Sequence, residues 1–72
     1  MGTALPEYKV GKSTFILALT GAIQERHRLV SMGLVPGAEI KVISKGPSGL
    51  LVALGKSRIG LEPEMAQGIV VS

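Results

Sequence analysis

The residues with the clearest potential for phosphate chemistry are Gly11-Lys12-Ser13-Thr14, which resemble the end of a phosphate-binding loop. The complete loop has another glycine five residues before its Gly-Lys pair, and Pro6 occupies that position here. Such a loop also leads into a helix, whereas the residues that follow here favour a strand. We therefore predict an ordinary turn that enters a strand.

A metal site would have to be built around His27, because this is the only histidine and the chain has no cysteine. Transition metals usually need several converging ligands of those types. Glu25, Glu62 and Glu64 could join His27, but Glu25 is two positions away on a predicted helix and diverges from it. We predict a solvated histidine and no resident cofactor. His27 stays a weak candidate ligand for Fe²⁺ or Zn²⁺, in a site that a second copy of the chain would complete.

The acidic residues do not suggest catalysis. All five are glutamates, so a Ser/His/Asp triad is impossible, and no serine, threonine or lysine stands beside a base in a recognisable pattern. Glu62 and Glu64 flank Pro63 at the start of a predicted helical turn, where negative charge complements the helix N-terminus. We predict that these two carboxylates cap the turn, and that the protein is not an enzyme.

The elements that must position these residues fit one small domain. With 72 residues the chain is long enough for a single core. Residues 1–7 have no hydrophobic period and are predicted to form a flexible leader, which leaves one domain over residues 8–72. Ser13–Leu19 is rich in β-formers and too short for a good helix, so it is predicted as the first strand.

Ala22–Met32 is the one convincing helix of the sequence. At about 100° per residue, an apolar face is formed by Ala22, Ile23, Leu29, Val30 and Gly33. Arg26 falls inside this stripe, so we expect its stem to pack and its guanidinium group to reach water. Gly33 is predicted to end the helix in the left-handed conformation, with Leu34 folding back on the last turn.

The rest of the chain alternates between turns and short strands. Val35–Ala38 has the Pro-Gly order of a type II turn. Four further strands are predicted, with a short helical turn at Pro63–Gln67 before the last one, and they span Glu39–Ser44, Leu50–Leu54, Ser57–Leu61 and Ile69–Val71. The continuous apolar run Leu50–Leu54 is expected to be central or covered on both faces. The predicted fold is therefore mostly β, a small barrel with one helix between its first two strands.

Charge and composition exclude several partners. The net charge is +3, without a basic block, and the only aromatic residues are Tyr8 and Phe15. Because stacking on bases needs aromatic platforms, we expect no nucleic-acid binding. The longest apolar stretches, Phe15–Leu19 and Leu50–Leu54, are far below the roughly 20 residues of a membrane helix. We expect a cytoplasmic protein that does not itself span the membrane.

One segment resembles a known family. Arg28–Gly37 reads RLVSMGLVPG and precedes an alternating strand, Ala38–Ser44. This is similar to the signature of the FeoA family, and the closing segment Met65–Val71 resembles the family's small helix and final strand. The resemblance implies an SH3-like barrel, similar to the C-terminal domain of iron-dependent repressors of the diphtheria-toxin type.

The resemblance also implies a role, that of an accessory to FeoB, the membrane transporter of ferrous iron with an attached G domain. We expect the helix and its exit turn to carry the partner-binding residues Arg28, Met32, Leu34, Val35 and Pro36. Leu29, Gly33 and Gly37 are expected to be structural. The alternative is a metal sensor or carrier that binds iron or zinc itself, and a homo-oligomer is compatible with either function.

Overall fold

The computed structural model describes residues 2–72, which form six antiparallel strands, two α-helices and one 3-10 turn. The strands are β1 Thr3–Ala4, β2 Ser13–Leu19, β3 Glu39–Gly46, β4 Gly49–Leu54, β5 Ser57–Leu61 and β6 Ile69–Val71. The helices are α1 Ile23–Ser31 and α2 Pro63–Gln67, and the 3-10 turn is Leu5–Glu7. The predicted fold class is confirmed.

The strands form one coiled sheet in the order β1-β6-β2-β3-β4-β5. Its two edges are β1 and β5. The 3-10 turn packs against α2, and α2 in turn contacts β4 and β6. These elements close the open side of the barrel over a single aliphatic core. The fully buried large side chains of that core are Leu5, Ile16, Leu29, Leu34, Ile40, Val42, Val52, Ile69 and Val71.

The prediction of a flexible leader is wrong over residues 3–7, while Met1 lies outside the described residues. Thr3 pairs with Val71 and Ala4 pairs with Val70, so the segment adds a strand to the sheet. Leu5 has no exposed surface and belongs to the core. A two-residue strand carries too little hydrophobic pattern to be recognised from sequence, which is why the domain was predicted to begin at residue 8.

Two strands contain β-bulges that the alternation of polar and apolar residues in the sequence does not reveal. Ile16 pairs with Val71 and Ala18 with Val70, so Leu17 is an extra residue in β2. A second shift lies in β3 between Val42 and Ser44. After a bulge, side chains change faces. In β2 the regular alternation holds through Leu17, which is 48% exposed beside the buried Ile16, and the change of faces appears at Ala18, which is exposed as well.

The prediction that the Leu50–Leu54 run is central or covered on both faces is confirmed in its first form. In β4, Leu50 and Val52 are buried, whereas Leu51 and Ala53 are only partly buried. The strand does lie inside the sheet, between β3 and β5. One face packs on the core and the other is a half-open surface, which is common for antiparallel sheets.

The exit from α1 has the predicted geometry. Gly33 has φ +86°, and the Gly33 amide donates to the Val30 carbonyl oxygen at 2.9 Å. The Leu34 amide reaches back to the Leu29 carbonyl oxygen, also at 2.9 Å, which completes a Schellman cap. Gly37 follows with φ +93° in the turn, as a type II turn requires. These bonds turn the chain from α1 into β3.

Candidate protein-binding surface on helix α1

The segment that resembled a phosphate loop has a structural role. Gly11 lies in a turn with φ +87°, and β2 begins at Ser13, so the prediction of a turn before a strand is confirmed. The Thr14 side chain is 5% exposed, and its hydroxyl donates to the Ser72 carbonyl oxygen at 2.9 Å. Thr14 therefore joins β2 to the end of the chain.

Helix α1 leaves most of its surface uncovered. Leu29 is its only buried residue. Ile23 is 58% exposed and Val30 49% exposed, so the predicted apolar face is only partly used for core packing. Met32, which follows the helix, is 37% exposed. Exposed apolar side chains that are neighbours on one element form a surface that a partner can cover, whereas isolated ones are ordinary.

One side of α1 forms a groove of about 340 Å³ between the helix, the end of β2 and the exit turn. We call this the α1 groove, and it is lined by Leu19, Ile23, Arg26, His27, Val30 and Pro36. The turn is held against β2 because the Gly37 amide donates to the Ile16 carbonyl oxygen at 2.8 Å. The groove wall on that side is therefore fixed by the sheet.

The other side of α1 faces α2 and is acidic. A second depression there is lined by Glu25, Arg28, Glu62, Pro63, Glu64 and Met65. Four residues after Arg28, Met32 shares its side of the helix. Leu29 lies between the two sides and points into the core. The charged and titratable residues of α1 are thus divided, with Arg26 and His27 in the groove and Glu25 and Arg28 on the opposite side.

The structure separates the predicted partner-binding residues. Arg28 and Met32 are exposed on the acidic side, while Pro36 is exposed in the α1 groove. Val35 is half-buried. Leu34 has no exposed surface, so its prediction as a contact residue is wrong: the Schellman cap directs it into the core. The predicted structural roles of Leu29, Gly33 and Gly37 agree with the burial and the backbone angles.

Three exposed groove residues were not predicted as binding residues, namely Ile23, Arg26 and Val30. The sequence did contain a signal, because Arg26 interrupts the apolar stripe of the helix. A cation within an apolar stripe is compatible with a stripe that faces solvent or a partner. Periodicity alone shows which residues share a face, and it does not show whether that face is covered.

The two carboxylates lie at the predicted place, with Glu62 at the N-cap of α2 and Glu64 in its first turn, where negative charge complements the helix N-terminus. Glu62 makes no side-chain hydrogen bond to the helix, and Pro63 at the first helical position presets the backbone. His27 is exposed in the groove. Within residues 2–72, no three histidine, cysteine, aspartate or glutamate side chains are grouped closely enough to hold a metal ion.

None of the helices in residues 2–72 has the length and apolar character needed to cross a bilayer. No curated protein matches the chain. A solved structure described as the iron uptake regulatory protein FeoA is 32% identical, with a TM-score of 0.88, over 99% of this chain and 96% of that one.

Two further solved structures are similar to this chain. FeoA of Stenotrophomonas maltophilia, described as a zinc complex of an SH3 domain protein, is 28% identical over 100% of this chain and 89% of that one, with a TM-score of 0.82. IdeR of T. acidophilum is 21% identical over 99% of this chain and 33% of that one, with a TM-score of 0.88, and this likeness shows the fold alone. A family model described as the FeoA domain matches residues 3–72. The chain therefore belongs to the FeoA domain family and has its SH3-like fold.

Proposed function

We propose that this chain is a non-catalytic accessory protein of ferrous iron uptake, which acts in the cytoplasm by binding the FeoB transporter. Membership of the FeoA domain family supports the iron-uptake role. The S. maltophilia relative is described as possibly acting as a ferrous iron transport activating factor, and we extend that role to this chain.

The observation that carries the proposal is the exposure of α1. A nine-residue helix with one buried side chain contributes little to the core, yet it displays Ile23 and Val30 to solvent, with Met32 beyond its end. Covering such side chains with a partner removes apolar area from water, at about 25 cal/mol per Å². An element arranged in this way is suited to binding another protein.

A pull-down against full-length FeoB, and separately against its isolated G domain, tests the proposal. Each is performed with and without guanine nucleotide, because the transporter carries a nucleotide-binding domain. We expect capture of full-length FeoB that is weakened by Met32→Asp and by Arg28→Glu. Lys45→Glu is the control, since Lys45 is exposed near the far end of β3 and undergoes the same reversal of charge as Arg28. Absence of capture under every condition would contradict the proposal.

Direct binding of iron or zinc is the second candidate function. The zinc complex of the S. maltophilia relative favours it, and His27 is accessible in the α1 groove. A site on one chain would have to recruit ligands from a second copy. Calorimetric titration with Zn²⁺ and Fe²⁺ tests this second function. Saturable metal binding that is lost in His27→Gln would support it.

A further inference from the structure

The α1 groove combines an apolar surface with positive charge. Four of its six lining residues are apolar, the other two are Arg26 and His27, and none is acidic. Glu25, Glu62 and Glu64 line the depression on the opposite side of α1. A ligand in the groove could therefore pair with Arg26, because no carboxylate of the chain lines the same groove and competes for that guanidinium group.

We propose that the α1 groove binds a segment of another protein in which aliphatic side chains lie next to carboxylates. This inference rests on the proposed function, because it specifies the chemistry of the partner which that function requires. The aliphatic side chains cover Ile23 and Val30, which are about half exposed in the free protein. A carboxylate beside them pairs with the planar guanidinium group of Arg26, which can donate two parallel hydrogen bonds.

The residues around α1 argue against a second copy of this chain as the occupant of the groove. A symmetric contact would place the Arg26 and His27 of both copies in one interface, and the chain already carries a net charge of +3. An asymmetric contact would use the acidic side of α1, where the glutamates surround Pro63 and a Met65 that is only 7% exposed. Apart from Met32, which is 37% exposed on that side of α1, this surface presents no large apolar side chain to insert. Charge complementarity therefore favours a different protein.

The test uses the whole ¹⁵N-labelled chain and a short synthetic helical peptide with leucines on one face and glutamates beside them. A second peptide carries lysine in place of every glutamate. We expect saturable chemical-shift changes at the amides of Leu19 and of residues 23–31 with the glutamate peptide, and none with the lysine peptide. Equal binding of both peptides, no binding of the glutamate peptide, or changes confined to another surface would overturn the inference.

Variants separate the apolar from the charged contribution. Val30→Gln replaces the branched apolar side chain with a longer polar one, and Arg26→Glu reverses the charge, so each is expected to weaken glutamate-peptide binding about tenfold. Lys45→Glu, with the same change in net charge as Arg26→Glu, is expected to bind as the parent does. Circular dichroism of each variant confirms that the fold is retained. Unchanged affinity in both groove variants would overturn the inference.

Two outcomes keep this inference distinct from the proposed function. If Val30→Gln and Arg26→Glu leave the capture of FeoB unaffected, the proposed function stands and the groove is not the docking site. Peptide binding without capture of FeoB would sustain the groove and contradict the proposed partner. Sedimentation of the free protein completes the test, since a dimer abolished by Val30→Gln would assign the groove to a second copy and overturn the inference.

Discussion

The backbone amide of Leu34 donates a hydrogen bond to the carbonyl oxygen of Leu29 at 2.9 Å, and both side chains are buried in the core. The bond spans the end of α1, so the helix ends where the chain must turn towards β3. Gly33 makes this possible by adopting φ +86° between them. One short segment thus fixes the helix on the barrel through Leu29 and Leu34, and leaves its remaining surface open.

Gly33→Ala is expected to destabilise the protein by about 1–2 kcal/mol, because an L-residue in the left-handed region is strained. The added Cβ would also lie 3.2 Å from Leu54 Cδ2, which must then shift. Urea unfolding followed by circular dichroism measures the loss. Gly60→Ala is the control, since Gly60 has no positive φ and no atom within 4 Å of the added Cβ. Equal stabilities of the two variants would contradict the role assigned to the cap.

Gly49→Ala is expected to cost more than Gly33→Ala. Gly49 has φ +135°, and a Cβ there would collide with the backbone carbonyl oxygen of Leu61. Backbone cannot move aside as a side chain can, so the β4–β5 pairing must open locally. Gly55→Ala isolates the conformational cost, because Gly55 has φ +61° and open space around it. We expect Gly49→Ala to lose more unfolding free energy than Gly55→Ala. The reverse order would refute the steric argument.

Leu5→Ala tests whether the N-terminal segment belongs to the domain. The side chain is fully buried, so its truncation should cost about 2–5 kcal/mol in unfolding free energy. Leu17→Ala makes the same chemical change at a side chain that is 48% exposed, and is expected to cost about 1 kcal/mol or less. Thermal unfolding compares the two variants. A flexible leader would instead make Leu5→Ala the milder change.

Thr14→Val should reduce stability by about 1 kcal/mol while preserving side-chain shape, because it removes the hydroxyl that donates to Ser72. The Ser72 hydroxyl lies 2.9 Å from the same Thr14 oxygen and is then the donor in that second bond. Ser72→Ala removes this second bond and the long one that the Phe15 amide donates to the same hydroxyl at 3.4 Å, and is expected to cost less. A double-mutant cycle in urea measures the coupling between the two hydroxyls, and zero coupling energy would show that the bond between them does not contribute.

The sequence predicted the parts of this fold that local chemistry determines. Ser13–Leu19, Ser57–Leu61 and Pro63–Gln67 have the predicted bounds, because β-branched residues, tight turns and a proline at a helix start act locally. The turns at Gly33 and Gly37 were predictable for the same reason. Each requires a positive φ that glycine adopts without strain.

The remaining features depend on contacts between distant residues. The burial of Leu5 follows from the pairing of β1 with β6, which joins residues 3–4 to residues 70–71. The bulge at Leu17 is an irregularity of register that no pattern in β2 displays. For the binding surface, the sequence located the helix and exit turn, but it placed Leu34 outside and Ile23 inside. The Schellman cap decides the position of Leu34, and the direction in which α1 packs decides that of Ile23.

The most direct test of the account is the affinity of this chain for full-length FeoB in lipid nanodiscs, measured by biolayer interferometry. We compare the parent, an Ile23→Gln/Met32→Gln double variant and the Lys45→Glu control. We expect saturable binding by the parent and the control, and a loss of about tenfold or more in the double variant, whose two exposed apolar side chains are removed. Absence of binding by the parent, or equal affinity of all three proteins, would contradict the account.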